Sequence, residues 1–327
     1  MQQEREEFMR NNGWSRREFL TTVPVMVAGV AAMAHGESVA SGQAVKWSSG
    51  TELPRLKVPP NATDCHHHIY DSRFPADATT SLRPGDALIS DYRMLQKRIG
   101  TTRNVVVQPS TYGIDNRLLV ESLETFGLKT TRGIAVVNDT VKDEELKRLD
   151  AAGVRGVRVN LAQGGGATWE MVIPLGKRFA AIGWHMQLNT MADDLYANRA
   201  VVSQVPCQLV FDHLARLPQP MGIQHPAFGL ICDLMHKEKA WVKLSGAYIL
   251  SKVGPPTYAD STAIAQAYVK AAPQRLVWGS DWPHPTAPGP EKPNDAILLD
   301  LLGEWAPNKA ERDRILVDNP AKLYGFS

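Results

Sequence analysis

The chain has 327 residues, enough for one large α/β domain or two ordinary ones. Its 36 basic and 34 acidic residues leave a net charge of +2, and no run of Lys or Arg is long enough to track a phosphate backbone, which speaks against a nucleic-acid partner. Three cysteines, Cys65, Cys207 and Cys232, stand at spacings that suit neither a metal knuckle nor a redox pair; the odd count leaves at least one thiol free, and no disulfide framework is expected.

In chain order, SRREFL (Ser15 to Leu20) precedes TTVPVMVAGVAAMA, an apolar stretch too short and too small-residued for a membrane span. The adjacent Arg16 and Arg17 resemble a twin-arginine export motif; an amphipathic N-terminal helix is the other reading. The resemblance implies a signal peptide over residues 1–34, cleaved after Ala34 or as late as Ala40. It also implies delivery to the periplasm by the twin-arginine export machinery, with no stable membrane anchor after cleavage. Residues 35–60, with SVASGQ and KVPP, are expected to form a linker and an extended arm, and the folded domain is expected over 61–327.

Within that domain, short apolar or β-branched runs alternate with amphipathic stretches. Strands are expected at 62–69, 103–110, 131–138, 154–161, 184–190, 207–214, 240–246 and 275–282. Helical segments fit between them. SDYRMLQKRIG offers Ser90 or Asp91 as a cap and Gly100 as a stop, and TVKDEELKRLDAAG places Asp143 and Glu144 early and Lys147 and Arg148 late, as the helix dipole prefers. Eight strand-and-helix repeats predict an α/β fold, the closed (β/α)8 TIM barrel. A doubly wound open sheet is the alternative, but no glycine-rich phosphate fingerprint follows the first strand. QGGGAT (Gln163 to Thr168) reads as a flexible active-site loop or a plain linker.

In a barrel of this kind the carboxyl ends of the strands carry the chemistry, and here they are unusually polar. The first strand runs through TDCHHHIYD, where side chains two apart share a face, so His66 and His68 converge and His67 points away. A solvated histidine cluster in a loop is the competing reading. The later ends offer Gln108 and Ser110, Arg158 and Asn160, Gln187 and Asn189, His213 with Arg216, Lys243 and Ser245, and finally Asp281 and His284. An apolar core does not explain such a list, because buried charge is costly unless paired or metal-bound.

A histidine pair after strand one, a histidine after a middle strand and an aspartate after strand eight resemble the amidohydrolase superfamily. More closely, DCHHHIYD, RNVVVQPSTYGIDN, RGIAVVND, GVRGVRVNL, FDHLARLPQP and VWGSDWPHP resemble the branch containing 2-pyrone-4,6-dicarboxylate lactonase, sulfomuconolactone hydrolase and galactarolactone isomerase. The resemblance runs from about Thr63 to VDNPAKLYGF. It implies a lactonase in which Asp281 activates water, with His66, His68 and His213 around the lactone carbonyl. Arg158 and Arg216 would clamp an acidic group of the substrate, with Ser110, Tyr112, Asn189 and Tyr248 as further substrate-binding residues. The expected substrate is a small anionic lactone, muconolactone-like or sulfomuconolactone, from aromatic-compound catabolism. A lactone isomerase and a non-catalytic periplasmic anion-binding protein are the rivals. Tyr248 stands where the pyrone enzyme has an arginine, which weakens the case for a pyrone dicarboxylate. His66, His68, His213 and Asp281 supply the donors that one zinc ion accepts. No lysine ends strand four or five to bridge two metals, so one zinc or metal-independent activity is expected.

Overall fold

A computed structural model describes residues 42–162 and 167–327. The expected export signal, both cleavage positions and Gln163–Gly166 of QGGGAT lie outside the described residues. Eight strands form one parallel sheet in sequential order: β1 (Thr63–His67), β2 (Arg103–Val107), β3 (Thr131–Ala135), β4 (Val154–Asn160), β5 (His185–Asn189), β6 (Leu209–Phe211), β7 (Ala240–Leu244) and β8 (Leu276–Trp278). The residues after β8 return to β1, where Asp281 N donates to His66 O at 2.8 Å and His68 N to Trp282 O at 2.8 Å. This return nearly closes the barrel and excludes the open-sheet alternative. It demands a close approach, since a Cβ on Gly279 would lie 2.6 Å from the His66 Cβ; a glycine is the residue that fits.

Alternation along the strands divides two apolar layers. Val105, Val107, Ile134, Val210, Trp241 and Val277 pack inside the barrel with Cys65, Tyr324 and Phe326. The intervening residues, such as Val106, Ala135, Val157 and Leu188, pack outward in the larger core shared with the surrounding helices. The C-terminal segment seals the amino-terminal end of the barrel: Arg103 Nη2 donates to Ser327 O at 2.5 Å and Arg132 Nη2 to Gly325 O at 2.7 Å. That leaves the opposite end, where the strands finish, open for a site.

The first helix among the described residues, α1 (Ile89–Ile99), is capped by Leu88, two residues before Ser90, the earlier of the two caps its sequence offers, with Asp91 accepting from Leu88 N at 3.0 Å. Gly100 ends it at φ 83°, a left-handed turn that glycine adopts without a Cβ clash. The expected arm from Gly42 onward is tied to the barrel. Trp282 Nε1 donates to Lys46 O at 2.8 Å, and Arg98 donates to Ser49 O and Gly50 O at 3.0 Å each. Cys65, Cys207 and Cys232 are each buried and free.

Candidate active site

The site begins with an irregularity in β1. Asp64 pairs with Asn104 but His67 with Val106, so Cys65 and His66 together oppose the single residue Val105. This is a bulge. The Asp64 carboxylate holds it, accepting from His66 N at 3.1 Å, Ser280 N at 2.9 Å, Ser280 Oγ at 2.6 Å and Tyr92 Oη at 3.0 Å. Burial raises that carboxyl to about 6, against the lowering pull of the Ser280, His66 and Tyr92 hydrogen bonds. Cys65 packs in the barrel interior, and the bulge turns His66 toward the strand ends beside His68. His67 faces outward, stacked on the Tyr92 ring at 3.5 Å with Nε2 3.0 Å from Asn104 Oδ1.

His66 Nε2 and His68 Nε2 are 3.3 Å apart, and each is 3.5 Å from Asp281 Oδ1. His213 Nε2 lies 3.8 Å from the same oxygen. All four predicted residues therefore meet at one point. Tyr248 Oη donates to Asp281 Oδ2 at 2.6 Å, which leaves Oδ1 as the oxygen facing the histidines. Burial by itself would raise the Asp281 carboxyl, but His213, His68 and His66 outweigh it and hold the group well below its ordinary range. Burial also keeps His213 neutral down to about 4, and burial with the Lys243 charge pushes His66 well below its usual value.

Backbone strain concentrates here. His213, Leu214, Ala215 and Arg216 follow one another at φ 51°, 55°, 57° and 48°, a left-handed turn that costs L-residues roughly 1 kcal/mol each. Three residues per turn bring His213 and Arg216 to the same side. Asp281 and His284 are also left-handed, at φ 63° and 57°.

Two arginines face the cavity. Arg158 Nε donates to Asp212 Oδ2 at 2.8 Å and Arg216 Nε to Asn189 Oδ1 at 2.7 Å, so each guanidinium is oriented through Nε and lines the cavity with its far end. That cavity, about 300 Å³ including its mouth, is also lined by His68, Tyr70, Ser110, Asn189, His213, Asp281 and Thr286. Ser110 Oγ accepts from Asn160 Nδ2 at 2.5 Å. Tyr112 requires a correction: its hydroxyl donates to Asp71 O at 3.1 Å and accepts from Asp71 N at 2.8 Å. Both hydrogen-bonding roles of that hydroxyl are filled by backbone, and Tyr70 forms the wall instead. Tyr248 touches Asp281 and lines the neighbouring cleft with Tyr258 and Lys292.

Sequence reasoning missed Asp212 and placed Lys243 in no role. Lys243 is fully buried; its Nζ donates to Gln187 Oε1 at 2.8 Å, sits 3.0 Å from His66 Nδ1 and lies 3.4 Å from Asp212 Oδ1. Burial lowers the Lys243 pKa while Asp212 opposes the shift. Asp212 is driven well below its ordinary range, since Lys243, His66 and Arg158 outweigh its burial. The available signal was the acid at the end of the apolar run LVFD, in step with inward-facing Val210.

The fit to a metal turns on these outer contacts. Ligands around a tetrahedral zinc stand roughly 3.3 Å apart given bonds of about 2.0–2.1 Å, close to the 3.3 and 3.5 Å separations of His66, His68 and Asp281. His68 Nδ1, 2.7 Å from Val107 O, donates outward as a metal-bound histidine does. His66 Nδ1 lies 3.0 Å from Lys243 Nζ and 3.5 Å from Asp212 Oδ1: a hydrogen bond accepted from Lys243 sets the proton on Nε2, whereas one donated to Asp212 frees Nε2 for a metal. The donor set has the size for one ion, and the Lys243–Asp212 pair decides whether His66 joins it.

A parallel eight-stranded barrel with histidines after β1 and β6 and an aspartate after β8 defines an amidohydrolase-type barrel. The chain belongs to the Amidohydrolase family, whose model matches residues 63–326. It is 32% identical over 290 residues to the 2-pyrone-4,6-dicarbaxylate hydrolase of Comamonas testosteroni, covering 85% of this chain and 94% of that one. It is 33% identical over 274 residues to the 4-sulfomuconolactone hydrolase of Rhizobium radiobacter, covering 82% and 91%. An apo crystal structure from Agrobacterium tumefaciens superposes with a TM-score of 0.80 at 26% identity, covering 86% and 99%.

Proposed function

We propose that this protein is a lactonase that opens a small anionic lactone with an activated water, the muconolactone-like compounds being the narrower class. The observation that carries this reading is the Asp281 carboxylate, with Oδ2 held by Tyr248 and Oδ1 facing three histidines. Arg158 and Arg216 share its cavity. Its depressed pKa keeps Asp281 ionised at neutral pH, ready to accept a proton. As water attacks the lactone carbonyl, its proton passes to Asp281 and the carbonyl oxygen becomes an oxyanion. With Lys243 donating to His66 Nδ1, a His66 Nε2–H and a His213 Nε2–H stabilise that charge; Ser245 Oγ, 3.0 Å from His213 Nδ1, donates to set the second tautomer. Collapse of the tetrahedral intermediate breaks the ring C–O bond, and protonated Asp281 returns its proton to the leaving alkoxide. Were an ion held by His66, His68, His213 and Asp281, it would supply Lewis-acid polarisation at the same place.

Turnover of acidic lactones by wild type and Asp281→Asn, with product mass and a chelator arm, tests the reading. Hydrolysis adds one water to the product, and Asp281→Asn should lose about two to four orders of magnitude in kcat while keeping ligand affinity. A product of unchanged mass would mean isomerisation. Ligand binding by both forms with activity in neither would mean a binding protein. Loss of activity on chelation, restored by zinc, would overturn the metal-free route.

A further inference from the structure

A second cleft opens from the same strand ends. It shares Ser110 and Arg158 with the cavity of Asp281 and continues past the ends of β2, β3 and β4, where Ile114, Val136, Val137, Ala167 and Met171 make its wall apolar. Its empty space is about 430 Å³ including the open mouth. Ile114 stands there 52% exposed, a large apolar side chain left facing water beside a polar site.

The charges of the main cavity are not balanced. Arg158 and Arg216 are the cations that line it and Asp281 the carboxylate, and behind them the buried Lys243 and Asp212 add one charge of each sign. Asp212 serves both Arg158 and Lys243, whereas Arg216 is held by the uncharged Asn189. One positive charge is therefore unmatched, and one substrate carboxylate would neutralise it. A second carboxylate would be buried without a counter-charge, which is strongly unfavourable.

We propose that the substrate of this site is a monocarboxylated ring that carries an apolar substituent, with the carboxylate on Arg216 and the substituent in the cleft of Ile114, Val137 and Met171. The inference rests on the lactonase reading for the identity of the ring, but cleft and charge balance can be tested without turnover. It favours a muconolactone-like monoacid over a sulfomuconolactone, which bears two acidic groups.

The probes are cyclopentanecarboxylate, its 3-methyl, 3-ethyl and 3-propyl derivatives, and cyclopentane-1,3-dicarboxylate, none of which has a lactone bond to open. Calorimetry on the purified full chain should show Kd tightening about fourfold for each added carbon buried. The diacid should bind at least about tenfold more weakly than the monoacid. Met171→Trp and Ile114→Trp each add bulk at a lining position of the cleft, and in each the propyl-to-parent affinity ratio should collapse toward one. A ratio of two probes on one protein stays readable even if a variant folds less completely. A chain-length series that is flat in wild type, or unchanged in both variants, overturns the proposal. So does a tighter-bound diacid, or no binding by any probe. If the series holds while no lactone is turned over, the lactonase reading fails and the cleft stands; if alkyl lactones are hydrolysed with no length dependence in Kd, the reverse is true.

Discussion

His67 lies against the Tyr92 ring with a hydrogen-bond contact to Asn104, while His66 and His68 meet Asp281, so one tripeptide supports two kinds of experiment. His67→Asn removes a buried ring and leaves its neighbours underpacked, and should lower stability by about 2–3 kcal/mol with kcat of the folded fraction little changed. His66→Asn and His68→Asn should melt near wild type yet lose about two to four orders of magnitude in turnover. Melting and lactone hydrolysis measured side by side decide the matter: normal hydrolysis in the two site variants, with loss in His67→Asn alone, would remove the basis for the site. Lys243 shows why neighbours matter as much as the residues that touch substrate. Its ammonium and the Asp212 carboxylate both reach His66 Nδ1, and which of them bonds there decides whether Nε2 carries a hydrogen or a lone pair.

Among the elements, the meeting of β1 with the residues after β8 is the tightest fit. Gly279 has no room for a Cβ against His66. Gly279→Ala must therefore push β8 away from the bulge, at about 1–3 kcal/mol, and the displacement falls directly on the His66–Asp281 geometry. Thermal melting should drop by several degrees, and kcat should fall by more than the loss of folded protein explains; wild-type behaviour in both would mean that the strands separate freely there. The HLAR turn shows strain of another kind. Four left-handed residues persist because Asp212 N donates to Leu188 O at 3.1 Å, which ties the start of the turn to the sheet, and Ala215 N donates back to Asp212 O at 2.9 Å, while His213 and Arg216 are fixed by Ser245 and Asn189.

For the molecule as a whole, buried histidines set the dependence of stability on pH. Burial lowers His67 and His185 from 6.5 to about 3, against an opposing pull from Asn104 on the first and from Asp212 on the second. Both take up protons more readily when unfolded, so their contribution is present above pH 6.5 and lost as pH falls toward the folded values, at about 1.4 kcal/mol per pH unit each. Asp64, raised from 3.8 to about 6, acts oppositely: it stabilises the fold below 3.8 and loses that effect as pH rises through 6. His66 and His213, also lowered by burial, act in the same direction as these two, so the histidines outweigh the one aspartate and leave a net loss on acidification between pH 6 and 4. The melting temperature should fall steadily over that range, and His185→Gln should flatten the slope; a level profile in wild type would show that these imidazoles accept charge inside the barrel.

The eight strands were legible because each is a short apolar or β-branched run bounded by a polar end, and period-two alternation needs no partner to be read. The polar ends themselves, His66, His68, Arg158, Asn189, His213, Arg216 and Asp281, stood out for the same local reason: they interrupt apolar strands. Alternation did not by itself fix the register of β1, since Cys65 and His67 are also two apart. The bulge at Cys65–His66, held by Asp64 through Ser280 of a segment more than two hundred residues away, decided it. Likewise Tyr112 is a plausible cavity residue in PSTYG until Asp71 is folded against its hydroxyl. Asp212 and Lys243 gain their roles only when β4, β6, β7 and β1 converge and bury four charged or polar groups together. Local sequence determines which residues can form a strand and where it turns polar; hydrogen-bond direction, charge pairing and close approach depend on neighbours that only the closed barrel brings within reach.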